Sequence, residues 1–399
     1  MLRIQPLLLL PALLYGAEMP WHTADLKKTP QHWEASTAEP GVKAVWIAGP
    51  PYQGKPTRAF AYYGIPNGST SAPGMVLIHG GGGTAFAEWV RMWNREGFAA
   101  IAIDTVGTRP DKADTNPWNP TRTRHEFAGP AGWGDFANVD APLTDQWSYH
   151  AVAVSVLAHS FLRAQPGVDA GRIGVTGISW GGYLTSIVAS VDDRFRFGIP
   201  VYGCGFLSED SAWLNDFEKL GPARARSWTR MWDPSSYLPM NRHPLFWING
   251  TNDFAYVMSS WQKSYRLPHG ERLLSLQVRM KHSHPDGAKP GEIFAYAKWK
   301  LLGGPPLLAI AKQGTAADEA WATWKGASRP IRAELCYTRD TMRWQDRIWT
   351  TIPADIDLAK KRVWATIPEA ARVYYLNLFD EHGLIVSTEH GTREPERSR

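Results

Sequence analysis

Short apolar runs alternate with helix-like stretches through much of the chain. Continuous apolar runs bounded by turn residues are typical of strands that are buried on both faces of a sheet. The runs that predict such strands are residues 75–78, 98–103, 172–176, 197–202, 244–249 and 273–278. The segments with helical periodicity are residues 86–95, 145–164, 180–191, 258–265 and 290–301. Strands that alternate with helices predict an α/β fold, in which a mostly parallel sheet carries helices on both faces.

Three segments outside this alternation have patterns of their own. Aromatic-rich segments at residues 42–47 and 58–64 flank a Gly/Pro-rich turn and predict an antiparallel strand pair. Residues 18–40 are polar and contain prolines, so we expect an irregular lead-in to a large domain over residues 41–303. Residues 105–144 carry prolines, glycines and little periodicity. Because a long insert within a compact domain is usually functional, we expect a lid or a substrate loop there.

The pattern changes again after Gly303-Gly304-Pro305-Pro306. Short strand-like runs separated by turn residues follow, at residues 331–338, 362–367, 372–379 and 384–388. They predict a small β-sandwich-like domain over residues 315–390. The charged tail, residues 391–399, is expected to be frayed.

The first residues of the chain are typical of an export signal. Met1-Leu2-Arg3 precedes an apolar run at residues 7–14, and the small residue Ala17 follows it. A charged start, a short apolar core and a small residue at the cleavage point predict a signal peptide over residues 1–17 and a periplasmic or secreted protein. The alternative is a buried N-terminal helix. The run is too short to span a bilayer, so we expect no membrane segment in the mature chain.

The composition of the chain excludes several kinds of site and partner. The chain of 399 residues is 44% hydrophobic and 20% charged, which is an ordinary globular balance. Its net charge of +5 is not concentrated in any basic run, so no nucleic-acid partner is expected. The two cysteines, Cys204 and Cys336, exclude a disulfide framework and a cysteine-based zinc site.

Tryptophan is unusually frequent, with 20 residues in the chain. Most of them are expected to pack in the core and in loops. Trp118 and Trp133 lie in the insert and are candidates for a substrate-binding surface on which a sugar ring stacks.

The sequence Gly177-Ile178-Ser179-Trp180-Gly181 fits the motif G-x-S-x-G. It stands between the strand predicted over residues 172–176 and the helix predicted over residues 180–191. That context is typical of a nucleophile elbow, whose tight strand-to-helix turn leaves no space for side chains beside the serine. Ser179 is therefore the candidate nucleophile.

A serine hydroxyl needs a base and an orienting acid, which follow the serine in the order acid, then histidine, in folds with this elbow. Asp253 lies just past the strand predicted over residues 244–249 and is the candidate acid. The base should follow the last strand, where His282 and His284 both qualify. We prefer His284, because it is closer to the start of the last helix, and keep His282 as the alternative.

An oxyanion hole needs two N–H donors. The backbone of Trp180, the residue after the nucleophile, is one candidate, and Gly81 in the loop His79-Gly80-Gly81-Gly82-Gly83 is the other. The segment His282-Ser283-His284-Pro285-Asp286 also spells H-x-H-x-D, a pattern that occurs in metal sites. The serine elbow accounts for more of the chain, so no metal and no cofactor is expected.

These motifs resemble those of the α/β-hydrolase superfamily. More narrowly, residues 40–303 resemble secreted bacterial acetylxylan-esterase-like and dienelactone-hydrolase-like proteins, distant kin of the prolyl oligopeptidase catalytic domain. The resemblance implies Ser179 as nucleophile, Asp253 as acid and His284 as base. It leads us to expect an exported serine esterase that acts on a small-molecule or polysaccharide ester, such as an acetylated carbohydrate. A prolyl-oligopeptidase-type peptidase and a catalytically silent glycan-binding protein are the alternatives.

Overall fold

A computed structural model describes residues 19–112 and 116–393 of the chain. The expected signal peptide and residues 394–399 of the expected tail lie outside this part. Within it, no helix has the length and apolar character that crossing a membrane requires.

The first part of the fold contains alternating strands and helices. Its strands are β1 (His32–Ala35), β2 (Lys43–Tyr52), β3 (Lys55–Gly64), β4 (Ala72–Ile78), β5 (Ala99–Ile103), β6 (Thr108–Lys112), β7 (Thr121–Arg124), β8 (Val168–Ile178), β9 (Gly198–Val201), β10 (Leu245–Gly250) and β11 (Arg272–Gln277). Its helices are α1 (Thr23–Leu26), α2 (Ala87–Arg95), α3 (Trp147–Arg163), α4 (Trp180–Val191), α5 (Leu214–Trp232), α6 (Met258–Tyr265), α7 (His284–Ala288) and α8 (Gly291–Leu302).

A nine-stranded sheet forms the centre of this part, in the order β1-β2-β3-β5-β4-β8-β9-β10-β11. The first strands pair antiparallel, and every pair from β5 to β11 is parallel. All residues of β4 and β5 are buried, as expected for central strands covered on both faces. The predicted α/β fold with a mostly parallel sheet is confirmed. Because parallel strands end at the same edge, the loops after β4, β8, β10 and β11 meet there.

Strand β1 and helix α5 are among the elements that differ from the expectations. Strand β1 lies in the lead-in that we expected to be irregular and pairs with β2, so the described lead-in is partly ordered by the sheet. Helix α5 was missed because Gly221 and Pro222 interrupt its periodicity. Gly221 has φ 72, which is not helical, so α5 consists of two helical segments joined by a kink at this residue.

The insert at residues 105–144 has structure in its described part. It contains a hairpin of β6 and β7. Further along, the buried carboxylate of Asp135 accepts the Ser148 backbone N–H at 2.8 Å at the start of α3. Because this carboxylate satisfies a free donor at a helix N-terminus, it anchors this part of the insert to α3.

The C-terminal region is β-rich. Its strands are β12 (Ala309–Ala316), β13 (Glu319–Lys325), β14 (Arg332–Thr338), β15 (Thr350–Pro353), β16 (Asp355–Asp357), β17 (Arg362–Thr366), β18 (Val373–Phe379), β19 (Ile385–Ser387) and β20 (Gly391–Thr392). They form two antiparallel sheets, one of β12, β13, β17 and β16 and one of β15, β14, β18, β19 and β20. Strand β12 begins before residue 315, the expected start of this domain.

This region packs on the edge strand β11 of the main sheet. Ser387 Oγ accepts the Leu276 backbone N–H at 2.7 Å, and Tyr375 donates its hydroxyl to the Leu276 carbonyl at 3.1 Å. Asn377 adds a bond to the same carbonyl at 3.2 Å. These bonds are buried, so the C-terminal region covers the backbone groups of an edge that would otherwise be open.

Candidate active site

Ser179 stands at the sharp turn between β8 and α4. Its backbone has φ 61 and ψ −121, a strained conformation for a residue other than glycine. The neighbouring chain leaves no space for side chains there. A Cβ at Gly177 would lie 2.1 Å from the Gly181 carbonyl oxygen, and a Cβ at Gly181 would lie 1.9 Å from the Ile78 carbonyl oxygen. The two glycines therefore let the turn approach β4 closely and present the serine at the sheet edge.

One imidazole joins Ser179 to Asp253. His282 Nε2 is 2.8 Å from Ser179 Oγ, and His282 Nδ1 is 2.6 Å from Asp253 Oδ2. Asp253 is buried, and its other oxygen accepts the Ala255 and Tyr256 backbone N–H groups at 2.9 and 2.7 Å. The carboxylate is thus held by the backbone on one side and orients the imidazole on the other.

His284, the preferred base in our sequence analysis, does not occupy this position, and that preference is corrected. Ser283 Oγ accepts the Asp286 backbone N–H at 3.1 Å, so Ser283 caps α7 and His284 is its first residue. His282 lies on the extended chain before the cap, from where it reaches Ser179. The helix start turns His284 toward the glycine loop, where its Nε2 accepts the Gly80 backbone N–H at 2.9 Å. The pattern S-x-x-D at Ser283 was the sequence signal that distinguishes the two histidines.

The glycine loop after β4 lies against the elbow. A Cβ at Gly80 would be 2.9 Å from Ser179 Cβ, and a Cβ at Gly81 would be 3.0 Å from Trp180 Cδ1. Within the described residues, the Gly81 N–H has no hydrogen-bond acceptor. Trp180 is the first residue of α4, where a helix leaves its N–H groups unused. The structure therefore brings two free donors to the side of the serine.

Comparisons with known proteins agree with this architecture. The sequence profile of the prolyl oligopeptidase family matches residues 143–293, a segment that includes Ser179, Asp253 and both candidate histidines. This protein is a serine hydrolase of the α/β-hydrolase fold, distantly related to prolyl oligopeptidase.

Two solved structures show the extent of the likeness. An acetyl xylan esterase from Paenibacillus sp. R4 is 18% identical with a TM-score of 0.54, over 70% of this chain and 92% of that one. Acetyl xylan esterase 1 from Thermoanaerobacterium sp. JW/SL YS485 is 14% identical with a TM-score of 0.53, over 70% of this chain and 91% of that one. At these identities the likeness establishes the fold. No curated protein matches the sequence of the hydrolase.

The two tryptophans proposed for substrate binding lie at different places in the hydrolase. Trp133 is 44% exposed, and its ring is 3.2 Å from the position that a Cβ at Gly81 would take. It therefore lies at the rim of the glycine loop. Trp118 packs on Phe86 with ring centroids 5.2 Å apart, and Phe86 packs in turn on His284 at 4.8 Å. Trp118 is half-buried and packs on the loop side of the site, whereas Trp133 lies at the rim of the glycine loop.

The H-x-H-x-D segment does not converge on one point. His282 binds Asp253 and Ser179, His284 binds Gly80, and Asp286 accepts the Ser283 hydroxyl at 2.6 Å. In residues 19–112 and 116–393, no group of three His, Cys, Asp or Glu side chains is arranged to hold a metal ion.

Sequence reasoning missed a contact between the acid loop and the C-terminal region. The Asn252 side-chain amide lies against the carbonyl oxygens of Trp344, Gln345 and Arg347, at 3.3, 3.1 and 2.7 Å. Asn252 precedes Asp253, so the β-rich region holds the loop that carries the carboxylate. The partners are more than ninety residues away in the chain, and no local sequence pattern predicts such a contact.

Proposed function

We propose that this hydrolase is an exported serine esterase that cleaves carboxylic esters of a carbohydrate, such as an acetylated polysaccharide. The observation that carries the catalytic part of this proposal is the chain of hydrogen bonds from Ser179 through His282 to Asp253. Export rests on the sequence pattern of residues 1–17.

In the first half-reaction His282 acts as the general base. Its Nε2 takes the proton of the Ser179 hydroxyl as Oγ attacks the ester carbonyl carbon. Asp253 binds the Nδ1–H, so Nε2 keeps its lone pair for the proton and the imidazolium that forms is stabilised. The carbonyl oxygen becomes an oxyanion that the Trp180 and Gly81 N–H groups bind.

The tetrahedral intermediate then collapses. His282 gives its proton to the oxygen of the leaving alcohol as the carbon–oxygen bond breaks, and an acyl-enzyme remains on Ser179. In the second half-reaction a water molecule gives a proton to His282 and attacks the acyl carbon. The carboxylic acid leaves when the same proton returns to Ser179 Oγ, which restores the resting site.

The choice of a carbohydrate ester over a peptide rests on two observations. Two solved structures that share the fold of this chain with TM-scores above 0.5 are acetyl xylan esterases by name. The exposed Trp133 beside the glycine loop offers a flat apolar face of the kind on which sugar rings stack.

The test is turnover of p-nitrophenyl acetate, butyrate and octanoate, beside acetylated xylan and aminoacyl p-nitroanilides. We expect cleavage of the acetate ester, release of acetate from the polysaccharide and no cleavage of the anilides. Anilide cleavage without ester cleavage would replace the proposal by a peptidase. Binding of the glycan by a protein that cleaves neither class would replace it by a glycan-binding protein.

A further inference from the structure

Two imidazoles bind the two sides of Gly80 in the glycine loop. The Gly80 N–H donates to His284 Nε2 at 2.9 Å, and the Gly80 carbonyl lies 2.8 Å from His79 Nδ1. The same carbonyl accepts the Gly83 N–H at 3.0 Å. Both peptide units that flank Gly80 are therefore held, one by each histidine.

The second of these peptide units determines where the Gly81 N–H points. A trans peptide directs its carbonyl and the following N–H in opposite directions, and no described peptide bond is cis. His79 and Gly83 hold the Gly80 carbonyl on their side. The Gly81 N–H must therefore point away from them, and it stays free of any partner in the described chain.

We propose that His284, together with His79, is a positioning residue: the two imidazoles fix the peptide units on either side of Gly80, so that the Gly81 N–H serves as an oxyanion donor. This inference rests on the proposed function, because that function assigns the donor role to Gly81. His284 itself transfers no proton in this account; it acts through the loop.

The protonation states of both imidazoles fit this role. His284 can accept the Gly80 N–H only when Nε2 carries no proton. Burial, with the nearby charges of His79, His282 and Arg122, lowers the pKa of His284 to about 3. The ring is therefore neutral at any pH near neutrality.

His79 is held as the same tautomer, with its proton on Nδ1. Its Nε2 accepts the Thr105 N–H at 3.0 Å, which leaves the proton on Nδ1 to be donated to the Gly80 carbonyl. Burial lowers the pKa of His79, against the opposing charge of Asp104.

The two imidazoles pack closely on the loop at Gly83. A Cβ at Gly83 would lie 2.8 Å from His284 Nε2 and 2.9 Å from His79 Nδ1. Arg122, on β7 of the insert, donates to the Gly82 and Gly83 carbonyls from the outer side. The two imidazoles and this guanidinium enclose the loop, and His284 is the member that reaches it from the helix that follows the base.

The experiment compares two amides of different length at position 284. In His284→Gln the side-chain oxygen reaches about as far as Nε2 and still accepts the Gly80 N–H, whereas in His284→Asn it is one methylene too short. We expect His284→Asn to lower kcat for p-nitrophenyl acetate by roughly 10- to 100-fold with little change in KM. This is less than the roughly 10²- to 10³-fold that loss of one donor costs, because the Gly81 N–H remains and only its support is lost. We expect His284→Gln to restore most of the loss.

A second readout separates this role from general damage. The rate for p-nitrophenyl acetate divided by that for its thiono analogue reports the oxyanion hole, since sulfur accepts hydrogen bonds weakly. We expect this ratio to fall in His284→Asn and to recover in His284→Gln. An unchanged ratio, an unchanged kcat in His284→Asn, or equal losses in both variants would overturn the inference.

The rate at which a fluorophosphonate labels Ser179 keeps the two proposals distinguishable, because phosphonylation uses the same hole without needing the right ester. Slower labelling of His284→Asn, in a protein that cleaves none of the esters, would support the inference and contradict the esterase. Ester turnover with equal labelling in all variants would support the esterase and contradict the inference. A wild-type protein that is not labelled would overturn both.

Discussion

His282 and His284 are two residues apart and serve different parts of one site. His282 Nε2 lies 2.8 Å from Ser179 Oγ, whereas His284 Nε2 lies 2.9 Å from the Gly80 backbone nitrogen. The helix start between them accounts for the division, because Ser283 caps α7 and turns the chain. One histidine is placed for proton transfer and the other for holding the loop that faces the serine.

The division predicts unequal effects of two alanine substitutions. His282→Ala should lower kcat by roughly 10⁴- to 10⁶-fold, because it removes the group that takes the serine proton. His284→Ala should cost roughly 10- to 100-fold, less than the roughly 10²- to 10³-fold that loss of one oxyanion donor costs, because the Gly81 N–H itself remains. Steady-state kinetics with p-nitrophenyl acetate measures both. A larger loss in His284→Ala would return the role of base to that residue.

The elbow predicts a severe effect of a single methyl group. Gly181→Ala would place a Cβ 1.9 Å from the Ile78 carbonyl oxygen. To relieve this clash, helix α4 or the central strand β4 would have to move. We expect a loss of roughly 4 kcal/mol or more in the free energy of unfolding. Urea denaturation followed by circular dichroism measures it.

Gly171→Ala in the exposed start of β8 is the matched control. A Cβ there meets only Asp169 Oδ1, at 3.3 Å. We expect a change within about 1 kcal/mol. Similar stabilities of the two variants would show that the elbow is less tightly packed against β4 than described.

The sequence allowed much of this site to be predicted, and the misses have physical reasons. The bounds of α4 are confirmed at Trp180 and Val191, because a long apolar helix after a tight turn is a strong local signal. Ser179 and Asp253 were named from their positions after strands, and one imidazole joins them in the structure. The wrong preference for His284 came from overlooking a cap, which decides the direction of the chain within one residue.

Other features depend on contacts that sequence separation hides. Gly221 and Pro222 interrupt the helical periodicity of α5, so the sequence pattern did not predict this helix. The bonds from Asn252 to the loop that contains Trp344 join parts of the chain that local periodicity treats separately. Tertiary contacts of this kind are invisible to any pattern read along a short window.

The contact of Asn252 predicts a charge-dependent effect. In Asn252→Asp a carboxylate would replace the donor that faces the Trp344, Gln345 and Arg347 carbonyls, so attraction would become repulsion. We expect the free energy of unfolding to fall by about 2 kcal/mol. A severalfold lower kcat should accompany it, because the acid loop loses its outer support.

Urea denaturation and p-nitrophenyl acetate kinetics test this prediction against Asn215→Asp. Asn215 is exposed at the start of α5, and the same change of charge there should alter stability by less than about 0.5 kcal/mol. Equal effects at both positions would mean that the carbonyl contacts contribute nothing.

Buried histidines predict a loss of stability in acid. Burial lowers the pKa of His159 to about 4 and that of His390 to about 3. An unfolded chain takes up these protons below about pH 6.5, so the unfolded state binds more protons as the pH falls. Stability is therefore full above about pH 6.5 and declines toward pH 4, by about 2 kcal/mol per imidazole at pH 5.

His159→Asn tests the sign of this effect. The asparagine amide can still donate to Asp192, which His159 Nδ1 contacts at 2.9 Å, but it cannot titrate. Urea midpoints at pH 8 and pH 5 should therefore differ less in the variant than in the wild type. An equal difference in the two proteins would show that His159 does not contribute to the loss of stability in acid.

The most direct measurement of the central claim compares the wild type with Ser179→Ala in fluorophosphonate labelling and p-nitrophenyl acetate turnover. The account predicts that the wild type is labelled on Ser179 and cleaves the ester. It also predicts that Ser179→Ala keeps its circular dichroism spectrum, is not labelled and loses about 10⁴-fold or more in kcat. Labelling or undiminished turnover in Ser179→Ala would contradict the assignment of the nucleophile, and with it the mechanism.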